Sequence, residues 1–312
     1  MRLPAAILYH YPCTDGVFAA LAAHLYHQAI GKAARFFPNA VYRPLRLVDE
    51  LPVEEVDVFY LLDFVGPAGF VTDLCSKAKE VVVLDHHKTA LHKLHSEDRA
   101  PQNLHSVVDM NRSGATIAYD YFSERFPELW SGEHKLQKMY KYVEDGDLWR
   151  WSIPESKAFS SGIQDLKLEY NAVLNPSIFN QLLELDIDSV LERGKQRVLV
   201  HQEIIRSILE NSFEIEIGNG KFGRFLGVRA DNAQELRSDL GHQLAEKSLR
   251  AGLRPIGAVV YEVEELGDPD TLKVSLRSID DDTTGISQSY GGGGHRCASS
   301  FMINKAELEQ WI

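Results

Sequence analysis

Apolar and polar positions in the first half of the chain follow two rhythms. Short apolar runs at Leu3–Tyr9, Val56–Leu62 and Val81–Leu84 read as buried strands. Helical spacing marks Gly16–Ile30, with Gly31 at a C-cap position, and Pro67–Ala78, with proline in its first turn. It also marks Ser113–Phe126 and Glu133–Val143. This alternation predicts an α/β domain, an open and mostly parallel sheet flanked by helices. After Trp151 the rhythm changes. Phe159–Leu185 is mixed and loop-rich, and Ile187–Asn211 is a long helical stretch that reads as a connector. From Phe213 onward, strands at Phe213–Ile217, Phe222–Arg229, Ile256–Glu262 and Leu272–Ser278, a helix at Glu235–Leu249 and a turn at Gly267-Asp268-Pro269 predict a smaller α/β domain. The expected division is 1–155, 156–211 and 212–312.

The length of 312 residues fits two domains better than one core. A hydrophobic fraction of 44% with 25% charged residues is ordinary globular composition and excludes wholesale disorder. The formal net charge of −12 is the wrong sign for a protein living on long duplex DNA. It leaves room for a small nucleotide or short single strand held by a local basic pocket or by metal ions. The three cysteines, Cys13, Cys75 and Cys297, are odd in number and far apart, so a reducing compartment is expected. No apolar run approaches the roughly 20 residues that cross a bilayer, so no membrane partner is expected. Met1–Tyr9 already reads as a strand, so no targeting peptide is expected and the cytoplasm is the expected location. A homodimer is left open.

Candidate chemistry follows each of the three apolar strands. The first is followed by His10, Cys13 and Asp15, the second by Asp63, and the third by Asp85-His86-His87. Ligands of an open parallel sheet bind outside the carboxyl ends of its strands, so these residues would converge. Any one cluster alone is ordinary polar loop chemistry. Three in phase, with Asp145 in Glu144-Asp145-Gly146-Asp147 as a fourth, point to a metal site. Carboxylates with imidazoles and no thiolate set suit Mn²⁺ or Mg²⁺ better than structural zinc. Two such ions can activate water to hydroxide and neutralise a phosphoryl group. Gly291-Gly292-Gly293-Gly294-His295 is a fifth feature: glycines admit close backbone approach to an anion, and His295 could donate to a phosphate. Trp149 and Trp151 are better read as packing than as base-stacking residues, and His24, His27, His92, His95, His105, His201 and His242 carry no special signal.

These residues together resemble the DHH phosphoesterase superfamily, in the branch with a C-terminal DHH-associated domain. The matching motifs are His10…Asp15-Gly16, Leu61-Leu62-Asp63, Leu84-Asp85-His86-His87, Tyr142-Val143-Glu144-Asp145, Ser275-Leu276-Arg277-Ser278 and Gly291–His295, in that order across nearly the whole chain. The resemblance implies two α/β domains with the active site in the cleft between them. It implies a metal-dependent phosphoesterase acting on short oligonucleotides or small nucleotides. His10 and Asp63 would hold one metal. Asp15, Asp63, His86 and Asp145 would hold the second, with Asp63 bridging. His87 would face the phosphate, with Asp85 supporting the histidines. Arg277, Gly292, Gly293, Gly294 and His295 would bind the substrate. A pyrophosphatase or short-chain polyphosphatase is the enzymatic alternative, and a catalytically weakened nucleotide-binding protein on the same fold is the other.

The chain departs from that pattern once. The superfamily's first motif has two aspartates separated by one residue, and here the first of them is Cys13. A thiol is a softer ligand than Mn²⁺ or Mg²⁺ prefers and binds only as thiolate, so the first metal site is expected to be weaker, differently populated or absent. The alternative is that Cys13 simply packs at the strand end while His10, Asp63 and water complete the site. Asp147 is a spare carboxylate nearby, read in the first place as a cap on the following turn.

Overall fold

A computed structural model of the chain describes residues 3–40, 44–45, 47–94, 101–130, 134–263, 267–268 and 270–312. Of the features named above, Met1, His95, Glu133 and Pro269 lie outside those residues. The chain forms two compact units, Met1–Val198 and Leu199–Ile312.

In chain order the first unit runs β1 (Leu3–Tyr11), α1 (Thr14–Ala29), β2 (Ala34–Ala40), β3 (Val56–Leu62), α2 (Phe70–Lys77), β4 (Glu80–Asp85), α3 (Lys88–Leu94), β5 (Leu104–Val108), α4 (Gly114–Arg125), α5 (His134–Asp147), α6 (Ser156–Asp165), α7 (Ile178–Leu183) and most of α8 (Ile187–Leu209). Its sheet is wholly parallel, ordered β2-β1-β3-β4-β5. Strand geometry sends alternate side chains to opposite faces. Ile7 and Tyr9 of β1, Tyr60 and Leu62 of β3, and Val82 and Leu84 of β4 therefore enter one core, while Ala6 and Leu8, Phe59 and Leu61, and Val81 and Val83 enter the other. Burial on both faces explains why these strands read as continuous apolar runs.

The sheet edges carry weaker signals. β2 contains Pro38 and Asn39, and β5 is largely exposed, as edge strands allow, and neither was expected from the apolar pattern. The boundary of the first unit also differs from the expected one. Phe159 and Ile163 of α6, Phe179 and Leu182 of α7, and Val190 and Leu191 of α8 pack in the same core as β1 and α1. Residues 156–198 thus belong to the first unit rather than to a connector, because loop-rich sequence hid two short helices with apolar faces.

His27 sits within this core at 4% exposure, edge-on to Tyr26 and Tyr60, and neither ring nitrogen has a hydrogen-bond partner among the described residues. Burial, reinforced by Lys32, pushes its pKa down to about 4. A depressed histidine favours the folded state when neutral. Its contribution is present above the ordinary value near 6.5 and is lost as pH falls from there toward 4. Over that window about 3 kcal/mol of stability is expected to disappear. Replacing His27 by Phe is expected to flatten the acid side of a denaturation-midpoint profile, and parallel profiles for the two proteins would contradict it.

The second unit runs β6 (Phe213–Glu216), β7 (Arg224–Arg229), α9 (Arg237–Arg250), β8 (Ile256–Glu262), β9 (Thr271–Ser278), α10 (Thr284–Ser289), β10 (Gly293–His295), β11 (Ala298–Asn304) and α11 (Lys305–Trp311). Its sheet is mixed, ordered β10-β11-β9-β8-β7-β6, with only β7 and β8 parallel. The glycine run is an ordered hairpin edge. Gly294 pairs with Ser299 on β11, and a Cβ on Gly292 or Gly294 would stand 2.1 Å from the Ser300 oxygen or 2.5 Å from the Ala298 oxygen. Two of the four glycines are thus required by strand packing. Among the described residues, no helix is long and apolar enough to cross a membrane.

Candidate metal centre

Because all five strands of the first sheet run the same way, the polar residues after β1, β3 and β4 meet at one edge. The order β2-β1-β3 makes the β1/β3 gap the topological switch point, where such sheets bind ligands. His10 closes β1 there. Asp63 follows β3 in the left-handed region, at φ 55°, which aspartate tolerates better than most residues. Gly16 lets α1 begin against β1, since a Cβ would lie 2.1 Å from the His10 oxygen.

Asp63 is buried at the centre. One oxygen, Oδ2, stands 3.0 Å from His10 Nδ1. The other, Oδ1, faces His86 Nε2 at 3.3 Å and His87 Nδ1 at 3.4 Å, yet it is sealed from solvent without a well-formed hydrogen bond among the described residues. His86 Nε2 is itself ringed by carboxylates, with Asp147 Oδ2 at 3.6 Å and Asp15 Oδ2 at 3.8 Å. Among the described residues, three groups of donor atoms thus come close enough to hold a cation: His10, Cys13 and Asp63; Asp63, His86 and His87; and Asp15, His86 and Asp147.

The surrounding atoms lock these side chains in place. Both Asp15 oxygens accept backbone N–H groups at the start of α4, from Gly114 (2.7 Å) and Ala115 (3.0 Å). Gly114 is required at that point, because a Cβ would lie 2.7 Å from Asp63 Cβ and 2.9 Å from Asp15 Oδ2. Ser113 caps the same helix by accepting from the Thr116 N–H. Asp85 Oδ1 accepts the N–H groups of His86 (2.7 Å) and His87 (2.9 Å) and pairs with His87 Nδ1 (2.7 Å). A single carboxylate thus fixes both histidines after β4.

The electrostatics are those of crowded negative charge. Burial lowers the affinity of His10 and His86 for protons, but Asp63 and its neighbours outweigh it and carry them to about 11 and about 10. Burial, then the charges of Asp147 and Asp63, raises Asp15. Burial also raises Asp147, to about 6. Burial pushes the Cys13 thiol up, against its hydrogen bond with His10. A field that gathers protons so strongly also attracts a divalent cation, which would displace them. The orphaned Asp63 oxygen, three clustered carboxylates and hard oxygen and imidazole donors fit Mn²⁺ or Mg²⁺.

Of the residues that the sequence assigned to the metal centre, all but one are brought together. His10, Cys13, Asp15, Asp63, Asp85, His86 and His87 converge, and Asp145 does not. The Asp145 carboxylate instead accepts hydrogen bonds from the Ser152 N–H (3.0 Å) and hydroxyl (2.6 Å) and from the Ile153 N–H (3.2 Å). Asp147, read from the sequence as a cap, takes the place beside His86. The two lie two positions apart on α5, about 200° around the helix, so they face opposite ways. Gly114 was also missed. Its only signal is its place after Ser113 at a helix start. In the second unit, Arg277 on β9 donates to the Leu276 oxygen (2.9 Å) and Ser238 Oγ (3.0 Å), and Gly241 of α9 clears its stem, since a Cβ would stand 2.7 Å away.

No protein-family profile matches the chain. An uncharacterised protein, R106, of Acanthamoeba polyphaga mimivirus is 26% identical over 96% of this chain and 67% of its own length. Oligoribonuclease NrnB of Bacillus subtilis (strain 168) is 23% identical over 85% of this chain and 61% of its own length. The chain thus spans about two thirds of the curated relatives it matches. Among solved structures, an exopolyphosphatase-related protein of Bacteroides fragilis aligns with TM-score 0.56 at 14% identity, covering 99% of this chain and 90% of that one. RecJ in complex with Mn²⁺ from Thermus thermophilus aligns with TM-score 0.56 at 15% identity, covering 98% of this chain and 50% of that one. The class is therefore a two-unit α/β protein with carboxylates and imidazoles gathered at the switch point of a parallel sheet. The chain shares its fold with these solved structures, and its motifs resemble those of the DHH phosphoesterase superfamily.

Proposed function

We propose that this protein is a metal-dependent phosphoesterase that hydrolyses phosphate esters of short single-stranded oligonucleotides or small nucleotides, using two Mn²⁺ or Mg²⁺ ions. The observation that carries the reading is the buried Asp63 carboxylate, whose Oδ1 faces His86 and His87 while Oδ2 faces His10. The likeness to an oligoribonuclease supports the nucleotide class. His10 and Asp63, with Cys13 beside them, would hold one ion, and Asp15, Asp63, His86 and Asp147 the other. When bound, two such ions activate water and neutralise phosphoryl oxygens. The chain's own part is to position and to hold protons. Asp85 fixes the His87 ring through Nδ1, so Nε2 is directed at the substrate phosphate. Burial lowers the His87 pKa, but Asp85 and Asp63 raise it by more, which favours the donating form. In the second unit Arg277 and His295 would bind the substrate's phosphate or nucleotide, with Gly292, Gly293 and Gly294 shaping that hairpin. The three cysteines form no disulfide, in keeping with a cytoplasmic location.

The test is a panel of 5′-phosphorylated di- and trinucleotides, 3′-phosphoadenosine 5′-phosphate, cyclic dinucleotides and pyrophosphate, each with Mn²⁺, with Mg²⁺ and with chelator. Ion-dependent release of mononucleotide or phosphate from the nucleotide substrates is expected. Turnover of pyrophosphate alone would replace the reading with a pyrophosphatase, and ion binding without any turnover would leave a binding protein. On the preferred nucleotide, Arg277→Ala is expected to raise KM by about 10- to 100-fold, the worth of a charged hydrogen bond, with bound metal unchanged. Equal loss of metal would place Arg277 in the metal site.

Cys13 separates the two ions. Its thiol is held protonated by burial and gives the His10 side no hard anionic ligand. Calorimetric titration with Mn²⁺ is expected to resolve two unequal affinities. Cys13→Asp is expected to tighten the weaker one and to raise activity at low Mn²⁺. Two equal affinities, unmoved by the substitution, would show that Cys13 only packs at the strand end.

A further inference from the structure

A cavity of about 500 Å³ opens beside the His10–Asp63 edge of the centre, entirely within the first unit. Its size is that of a small-ligand pocket, which runs from about 300 to 1,000 Å³. Its walls are Phe64 and Val65, directly after Asp63, with Pro44 and Pro67, and its polar groups include His10, His87 and Asn39. These walls are built rather than incidental. Phe64 is braced edge-on by Phe70 at 6.0 Å. Gly66, at φ 72°, lets the loop lie on Phe70, since a Cβ there would be 2.7 Å from that ring. Lys93 Nζ donates to the Gly66 oxygen at 2.6 Å and pins the loop to α3.

Asn39 is the informative residue. It ends β2 in register with His10, so parallel pairing sets it next to the metal centre. It is 5% exposed. Its Oδ1 accepts the Leu45 N–H at 2.8 Å, which fixes the amide orientation, and its Nδ2 donates to no described residue. A buried amide with one end tied and two donors turned toward a cavity must find its acceptors in a ligand or in water. An aromatic and proline-lined slot with one oriented donor, placed against a phosphate-binding edge, has the chemistry of a nucleoside site: apolar walls for a base and a donor for its ring nitrogen or carbonyl oxygen.

We infer that this pocket is a nucleoside subsite in which Asn39 is a specificity-determining residue and Phe64 the base-contacting wall. The inference rests on the phosphoesterase reading for the position of the phosphate, but its test needs no turnover. Adenosine 5′-monophosphate and inorganic phosphate are titrated calorimetrically, with Mg²⁺ present, into the full chain and into Asn39→Asp and Phe64→Ala. Asn39→Asp keeps the acceptor for the Leu45 N–H and removes the donors, so the fold is retained and only recognition is altered. Its added negative charge acts on both ligands, so the ratio of the two affinities is the readout. Preference for the nucleotide over phosphate is expected to fall about tenfold in each variant, near the upper worth of a neutral hydrogen bond for Asn39→Asp and within the worth of a base–aromatic contact for Phe64→Ala. Equal preference in wild type and both variants would overturn the subsite. Wild type that shows this preference yet hydrolyses no phosphate ester would overturn the catalytic reading and leave the subsite standing.

Discussion

Asp63→Asn is expected to abolish divalent-dependent hydrolysis, by at least about a thousand-fold in kcat, or about 4 kcal/mol of transition-state stabilisation. The substitution is nearly isosteric, and asparagine also tolerates the left-handed backbone at this position, φ 55°, so the loop after β3 should survive. What is lost is the charge. Asp63 is the one carboxylate whose two oxygens face His10 on one side and His86 and His87 on the other. Without it no anionic group joins the two ion positions. The same charge holds His10 and His86 in their protonated forms, at about 11 and about 10, in the ion-free protein. Both imidazoles should therefore titrate several units lower in the variant, which histidine NMR resonances report independently of activity. Metal analysis is expected to find one ion or none. An Asp63→Asn protein with full activity, or with two ions bound and unshifted histidines, would remove the two-ion reading.

The parts of this centre that were legible in the sequence share a physical cause. Parallel strands buried on both faces are mostly apolar, so Val56–Leu62, charged only at Asp57, and Val81–Leu84 announce themselves, and the first polar residue after each run lies at the ligand-binding edge. Asp63, Asp85, His86 and His87 could be found this way. β2 escaped because an edge strand can carry Pro38 and Asn39 within it, and with it went Asn39's place beside His10. Gly114 escaped because its reason is tertiary: it makes room for Asp15 and Asp63, which are distant in sequence. The glycine run was found but read for its reach toward an anion, whereas Gly292 and Gly294 are also demanded by β11 beneath them. The choice between Asp145 and Asp147 was beyond motif reading, because both carboxylates sit at the end of one helix and only its rotation decides which faces the cluster.

That rotation yields the second large contrast. Asp147→Asn is expected to lose the ion held with Asp15 and His86 and to lower activity by at least about a hundred-fold, or about 3 kcal/mol, while the ion-free protein melts nearly as wild type. Its carboxylate faces His86 Nε2 at 3.6 Å rather than tying one helix to the next. Asp145→Asn should do the reverse. Asp145 is 2% exposed and ties the end of α5 to the start of α6, through Ser152, Ile153 and Ser156, across a turn that holds Trp149 and Trp151 at φ 55° and 50°. An amide cannot accept all of those hydrogen bonds, and buried donors left unpaired cost about 1–3 kcal/mol each. A clearly lowered melting temperature with metal stoichiometry intact is expected. The acid limb of metal binding gives a third readout. Burial raises the Asp147 pKa to about 6, so protons compete with the cation as pH falls through that value, and ion affinity should weaken there. Asp147→Asn should lose that limb, and Asp145→Asn should keep it. If Asp145→Asn instead sheds an ion at unchanged stability while Asp147→Asn binds two, the carboxylate beside His86 in solution is Asp145, and α5 is rotated from the orientation described.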